Sequence, residues 1–69
     1  MSKIINVQEL EENIMKDIAE NSNGIPVKFV TEKYNVTEIL ARKVLNGLVN
    51  KASVVKVRTK LGYYYLKNN

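Results

Sequence analysis

The sequence predicts an α+β domain in which three helices are followed by a two-stranded β-hairpin. Up to Ala52, apolar residues recur at intervals of three and four, the spacing of the buried face of a helix. After Ala52 the interval changes to two, the repeat of a strand. Because 69 residues suffice for one small core, we expect a single domain over residues 1–69.

The first helix is predicted from about residue 6 to residue 21. Asn6 is a suitable N-cap, and Gly24 can adopt the positive φ that ends the following turn. The predicted buried face repeats at every fourth position and consists of Leu10, Ile14 and Ile18.

The second and third helices are predicted over about residues 26–34 and 38–51. Pro26 suits the first turn of the second helix, where its missing N–H has no cost. Asn35 is the residue best able to adopt a left-handed conformation between them, and Thr37 is a suitable N-cap for the third helix. The predicted buried face of that helix consists of Leu40, Ala41, Val44, Leu45 and Leu48.

The hairpin is predicted over about residues 53–67, with a short loop that ends at Gly62. In its first strand, the alternation places Val55 and Val57 on one face and the basic residues between and after them on the other. In its second strand, we expect Tyr64 and Leu66 to face the core and the flanking tyrosines, Tyr63 and Tyr65, to face outward.

Charge is segregated along the chain. Residues 1–20 contain five acidic and two basic residues, a net charge of −3. Residues 21–69 contain nine basic and two acidic residues, a net charge of +7, and no acidic residue follows Glu38. A basic region that carries a helix and a hairpin is typical of a surface for a polyanion.

Composition excludes several kinds of site. The sequence has no cysteine and no histidine, so thiolate or imidazole metal sites, Cys/His nucleophiles and histidine bases are excluded. We therefore expect no enzyme activity, no cofactor and no metal. No apolar run reaches the roughly 20 residues of a membrane span, and the N-terminus lacks a signal-peptide layout. We expect no membrane partner and a cytoplasmic location, associated with the nucleoid if the source is prokaryotic.

Two segments carry a resemblance to a known family. Residues 30–48, VTEKYNVTEILARKVLNGL, resemble the turn and recognition helix of the winged helix-turn-helix superfamily, and residues 54–66, which end in LGYYYL, resemble its wing. This resemblance implies a transcription regulator or chromatin-associated protein that binds double-stranded DNA. The run ARKVL at 41–45 also resembles the twenty-fifth small-subunit ribosomal protein of archaeal and eukaryotic ribosomes, which implies RNA binding.

The outward face of the third helix carries the groups that read a major groove. Arginine can bind guanine, asparagine can bind adenine, and an aliphatic side chain can contact the thymine methyl group. A solvated polar face is the alternative interpretation of the same pattern. The candidate residues are Ile39, Arg42, Lys43, Asn46 and Asn50.

The hairpin and the second helix supply further candidates. Lys56, Arg58 and Lys60 are predicted to contact phosphates or an adjacent minor groove, although lysine on a hairpin also prevents edge pairing with other molecules. Lys28 and Lys33 are predicted to contact the flanking nucleic-acid backbone.

Two further hypotheses concern protein partners. A winged helix can serve as an accessory subunit of a replication or transcription complex, using the wing or third helix against protein. A homodimer is also expected, with a seam at the first helix that includes residues 3–18, because Ile4 and Met15 have no clear core position.

Overall fold

The computed structural model describes residues 6–68. Along the chain lie α1 (Val7–Glu20), β1 (Ile25–Pro26), α2 (Val27–Tyr34), α3 (Glu38–Asn50), β2 (Val54–Thr59) and β3 (Gly62–Lys67). The strands form an antiparallel sheet in the order β1-β3-β2. This architecture confirms the predicted α+β class, the helices and the hairpin.

Helix ends follow the capping residues read from the sequence. The side chain of Asn6 accepts a hydrogen bond of 2.8 Å from the backbone N–H of Gln8, and that of Thr37 accepts one of 3.2 Å from Leu40 N–H. Asn35, at the end of α2, has φ 54° and ψ 49°, the predicted left-handed conformation. Asn35 and Thr37 together define the tight turn that joins α2 to α3.

The prediction of a two-stranded sheet was incomplete, because a third strand, β1, precedes α2. Ile25 pairs with Tyr65, and Pro26 pairs with Tyr64. Pro26 therefore lies in the strand and forms the N-cap of α2, not its first turn. A proline is tolerated there because β1 is an edge strand, where no ladder needs its missing N–H. Two residues are too few to produce a period that sequence reasoning can detect.

The core lies between the helices and one face of the sheet. The three residues predicted for α1 are buried, as are four of the five predicted for α3, and Leu40 is half-buried against them. The remaining buried apolar residues among those described are Ile25, Val30, Val54 and Tyr65.

The predicted orientation of the β3 side chains was wrong. Tyr65 is only 2% exposed and belongs to the core, whereas Tyr64 and Leu66 are half-buried on the opposite face. Tyr63 is exposed, as predicted. The error arose because β3 carries large apolar groups at successive positions, so alternation alone does not say which set faces the helices.

Pairing within the hairpin explains this placement. Leu66 is opposite Val55 and Tyr64 is opposite Val57, so these four residues share one face, here called the outer face. The other face carries Tyr65 and the basic side chains of β2. The helices pack on that second face only near the base of the hairpin, where Val54 and Tyr65 are buried.

A buried acidic residue, Asp17, joins α1 to the end of α2. The Lys33 ammonium lies 2.5 Å from its Oδ1, and the Tyr34 hydroxyl donates a hydrogen bond to its Oδ2. Burial, and then the hydrogen bond to this carboxylate, raise the pKa of Tyr34 above its usual value. Because α2 leads directly into the turn before α3, this cluster helps to orient α3.

Gly24 is the glycine at which we expect substitution to be most costly. It has φ +85°, and an added Cβ would lie 2.7 Å from Leu66 Cγ and 2.9 Å from the Tyr65 carbonyl oxygen. Gly24→Ala is therefore expected to lower the free energy of unfolding by about 1–3 kcal/mol, through backbone strain and overpacking. Urea denaturation followed by circular dichroism would measure the change.

Gly47 offers the matched control within α3. It has no positive φ, and an added Cβ would contact nothing within 4 Å. Gly47→Ala is expected to raise the free energy of unfolding by about 0.5–1 kcal/mol because alanine is the better helix former. Equal effects of the two substitutions would contradict the close approach of β3 to Gly24.

Candidate nucleic-acid interface

The exposed face of α3 carries the five side chains predicted for it. All five are exposed, and Ile39 is 82% exposed. At about 100° per residue, Arg42 and Lys43 diverge toward opposite edges of this face, with Ile39 between them. Asn46 lies one turn after Arg42, on the same edge. The helix therefore has an edge toward the hairpin and an edge away from it.

A concavity of about 410 Å³ separates α3 from the hairpin. It brings together predicted site residues from three elements: Lys28 of α2, Arg42 and Asn46 of α3, and Lys56 of β2. Tyr63 and Tyr65 of β3 also line it. Residues that lie up to 35 positions apart in sequence thus face one space.

The side chains of Lys56 and Tyr63 are in contact. The Lys56 ammonium lies 4.2 Å from the centroid of the Tyr63 ring, within the range of a cation–π interaction. Arg58, not Lys56, is directly opposite Tyr63, so the contact is diagonal across the two strands. Long side chains can span such a diagonal.

The other predicted site residues lie elsewhere. Lys43, Asn50 and Arg58 are exposed but do not line the concavity. Lys60 lies at the tip of the hairpin and lines a separate, shallow apolar depression with Leu61 and Tyr64. Some of the predicted residues therefore line the concavity, and the others lie on the open surface outside it.

Ion pairs separate the basic side chains into two groups. Among residues 6–68, Lys28, Lys33, Arg42 and Lys51 each form an ion pair with an acidic residue. The other basic residues of the same range form no ion pair with an acidic side chain; they are Lys16, Lys43, Lys56, Arg58, Lys60 and Lys67. Lys33 differs from the rest of the first group because its partner, Asp17, is buried.

Glu38 is the acidic residue on the exposed side of α3, and it binds Arg42. The Arg42 guanidinium lies 2.8 Å from the Glu38 carboxylate, one helical turn away. If α3 binds DNA, Glu38→Gln is expected to tighten binding by about two- to tenfold at low salt, because it frees Arg42 and removes an acid near phosphates. Fluorescence anisotropy with a labelled random-sequence duplex would measure this.

The same substitution has an opposite expected effect on stability. Glu38 lies in the first turn of α3, where a negative charge interacts favourably with the helix dipole. Glu38→Gln should therefore lower the free energy of unfolding by about 0.5 kcal/mol. Glu9→Gln, which removes an exposed acid from the first turn of α1, outside the candidate interface, is the control. Unchanged or weaker binding by Glu38→Gln would contradict an interface at Arg42.

Sequence reasoning did not assign Tyr63 to the site. The available signal was the loop: if only Lys60 and Leu61 connect the strands, Thr59 pairs with Gly62 and Arg58 with Tyr63. That register places Tyr63 on the face of Lys56 and Arg58. Gly62 has φ +118°, and the Thr59 hydroxyl donates a 2.8 Å hydrogen bond to its carbonyl oxygen.

No model of a known protein family matches the chain, and a search of the curated proteins found no match. Within residues 6–68, no helix combines the length and the apolar character needed to cross a membrane. Function is therefore inferred from the shape and charge of the interface.

Proposed function

We propose that this protein is a winged-helix protein that binds double-stranded DNA and acts by binding alone, as a transcription regulator or chromatin-associated factor. One observation carries the proposal: α3 and the hairpin present an exposed, basic and concave surface. The part of the chain that forms this surface contains no acidic residue after Glu38. In this assignment α3 is the recognition helix and the β2–β3 hairpin is the wing.

The proposed docking places the exposed face of α3 in the major groove. Arg42 supplies a bidentate donor for guanine, and Asn46 supplies a donor and an acceptor for adenine. Ile39, at the exposed N-terminal end of the helix, can contact a thymine methyl group. Lys43 lies on the far edge of the face, where it is suited to a phosphate of the groove wall.

The hairpin and α2 are proposed to contact the backbone on the near side. Lys56 and Arg58 share one face of β2, and Lys60 extends the charge to the tip. Lys28 is exposed at the start of α2 and faces the same concavity as Lys56. Lys33 is left out of the proposed interface because its ammonium binds Asp17.

The test is the salt dependence of binding to a random-sequence DNA duplex. If about five of these cations contact phosphates, a plot of log K against log salt should have a slope of about −4 to −5 between about 50 and 200 mM. Fluorescence anisotropy of a labelled duplex provides the measurement. A slope near zero would contradict binding to DNA and to RNA alike.

An RNA duplex of the same sequence separates the two kinds of nucleic acid. The exposed face of α3 suits the wide major groove of B-form DNA better than the deep, narrow major groove of A-form RNA. Tighter binding to DNA at equal salt is expected. Tighter binding to RNA would support the ribosomal-type alternative instead.

The outer face of the hairpin favours a second candidate function, a protein-interaction module. Val55 and Val57 are exposed there, and Leu61 at the tip is 86% exposed. Exposed apolar residues that share a face are typical of protein contacts. Two results together would support this candidate. The protein would bind neither DNA nor RNA, and the Val57→Asp variant would lose a protein partner that the wild type binds.

A homodimer through the first helix remains a prediction. Met15 is half-buried and packs against the core, which removes one of the two residues that suggested the seam. Ile4 lies outside the described residues, as does the first part of the seam. Val7 is an exposed apolar residue of α1 in this region. Light scattering at micromolar concentration would determine the molar mass.

A further inference from the structure

The concavity between α3 and the hairpin has the composition of an anion site. It receives cations from three elements, namely Lys28, Arg42 and Lys56, and an amide donor from Asn46. No acidic side chain is present among the described residues that line it. Guanidinium and ammonium groups that face one space whose lining contains no acid favour a ligand with several acceptor oxygens, such as a phosphate.

Two of these cations have acidic partners that an incoming anion can replace. Lys28 lies 3.9 Å from Glu32, and Arg42 lies 2.8 Å from Glu38. All four side chains are more than half exposed. Exposed pairs of this kind contribute little to stability, so their exchange for contacts with a phosphate is favourable at low cost.

Lys56 is held in a different way. Among residues 6–68 it forms no ion pair with an acidic side chain, and its ammonium lies over the Tyr63 ring. A lysine side chain normally loses rotamer freedom when it binds an anion. Contact with the ring restricts Lys56 before the anion arrives, and it leaves ammonium N–H groups that can donate to the anion.

We propose that the concavity binds one phosphate of a nucleic-acid backbone, and that Tyr63 is a positioning residue that holds the Lys56 ammonium for this phosphate. This inference rests on the proposed function and adds to it a defined phosphate site and a role for Tyr63. A base stacked on Tyr63 is the competing interpretation. It is disfavoured because the Lys56 ammonium already covers the ring at 4.2 Å.

A double-mutant cycle on a random-sequence DNA duplex tests the proposal. Lys56→Met should weaken binding about tenfold and make the salt slope shallower by about 1. Tyr63→Leu should weaken binding by about two- to fivefold, the usual strength of an exposed cation–π contact. In the Lys56→Met background, Tyr63→Leu should have no further effect, because the ammonium it positions is gone.

Tyr63→Phe is the matched control because phenylalanine retains the ring and lacks only the hydroxyl. It should bind as tightly as the wild type, with the same salt slope. Tyr63→Thr, which preserves strand propensity, should weaken binding as much as Tyr63→Leu does. If urea denaturation shows that Tyr63→Leu is not folded, Tyr63→Thr takes its place in the cycle. These variants separate positioning of Lys56 from a general effect on the hairpin.

Three outcomes would overturn the proposal. An equal loss from Tyr63→Leu in both backgrounds would show direct contact of Tyr63 with the nucleic acid. A loss from Tyr63→Phe would assign the effect to the hydroxyl. An unchanged salt slope in Lys56→Met would remove the phosphate contact. In each case a wild-type slope of about −4 to −5 would leave the proposed function standing, whereas a wild-type slope near zero would remove both.

Discussion

Asp17→Ala is expected to lower the free energy of unfolding by about 2–4 kcal/mol. Asp17 is 4% exposed and holds both Lys33 and Tyr34 of α2. The substitution removes both contacts, leaves the Tyr34 hydroxyl half-buried without this partner and opens a space between α1 and α2. The loss should be smaller than for a fully buried pair because the Lys33 side chain is 48% exposed and can bind water.

Urea denaturation of Asp17→Ala, compared with Glu20→Ala, provides the measurement. Glu20 lies one turn further along α1 and is exposed, so its removal changes the net charge equally without breaking a buried contact. Glu20→Ala is expected to change the free energy of unfolding by less than about 0.5 kcal/mol. Equal effects would contradict the buried cluster. If α2 moves in Asp17→Ala, DNA binding should also weaken, although Asp17 lies outside the proposed interface.

A double variant with Arg42→Ala and Asn46→Ala is expected to lose about 2–6 kcal/mol of binding free energy at a preferred DNA site. Each side chain that reads a base contributes about 1–3 kcal/mol of discrimination, and the range is the sum of two such contributions. Both residues are exposed on the edge of α3 that borders the concavity. Random-sequence DNA should be affected less, because there the double variant loses the phosphate contact of Arg42 but no specific base contact.

The preferred site is first obtained by selection from a randomised duplex pool with the wild-type protein. Anisotropy titrations with the selected and a random duplex then compare the double variant with Lys60→Ala. Lys60, at the tip of the hairpin, is expected to contact phosphate, so its loss should weaken both complexes alike and reduce the salt slope by about 1. If the double variant also weakens both alike, the protein is a sequence-neutral binder with a role in chromatin.

Local chemistry explains why most of the architecture could be predicted. Asn6 and Thr37 accept the first amide groups of their helices, and Asn35 is among the few non-glycine residues that readily adopt a left-handed turn. Each of these signals acts within a few residues, so the sequence contains them directly. The exposed face of α3 follows from the same helical period.

The concave part of the candidate site required pairing between distant segments. Lys28 and Lys56 face one space because β1 pairs with β3, and β3 pairs with β2, which brings α2 beside the hairpin. β1 itself was not predicted from the sequence, because a strand of two residues is too short to show a period of two. The role of Lys33 was also hidden, since its partner Asp17 lies sixteen positions earlier in the chain.

The helices, the turns, the hairpin and the segregation of charge follow from the amino-acid sequence, because capping, periodicity and composition are properties of neighbouring residues. Which face of the hairpin is buried depends instead on the packing of distant segments. β3 carries bulky residues on both faces, and the choice depends on where the helices pack. That packing buries Tyr65, leaves Tyr63 beside Lys56 and leaves Val55 and Val57 of the outer face exposed, because long-range contacts and not local propensity select the buried side.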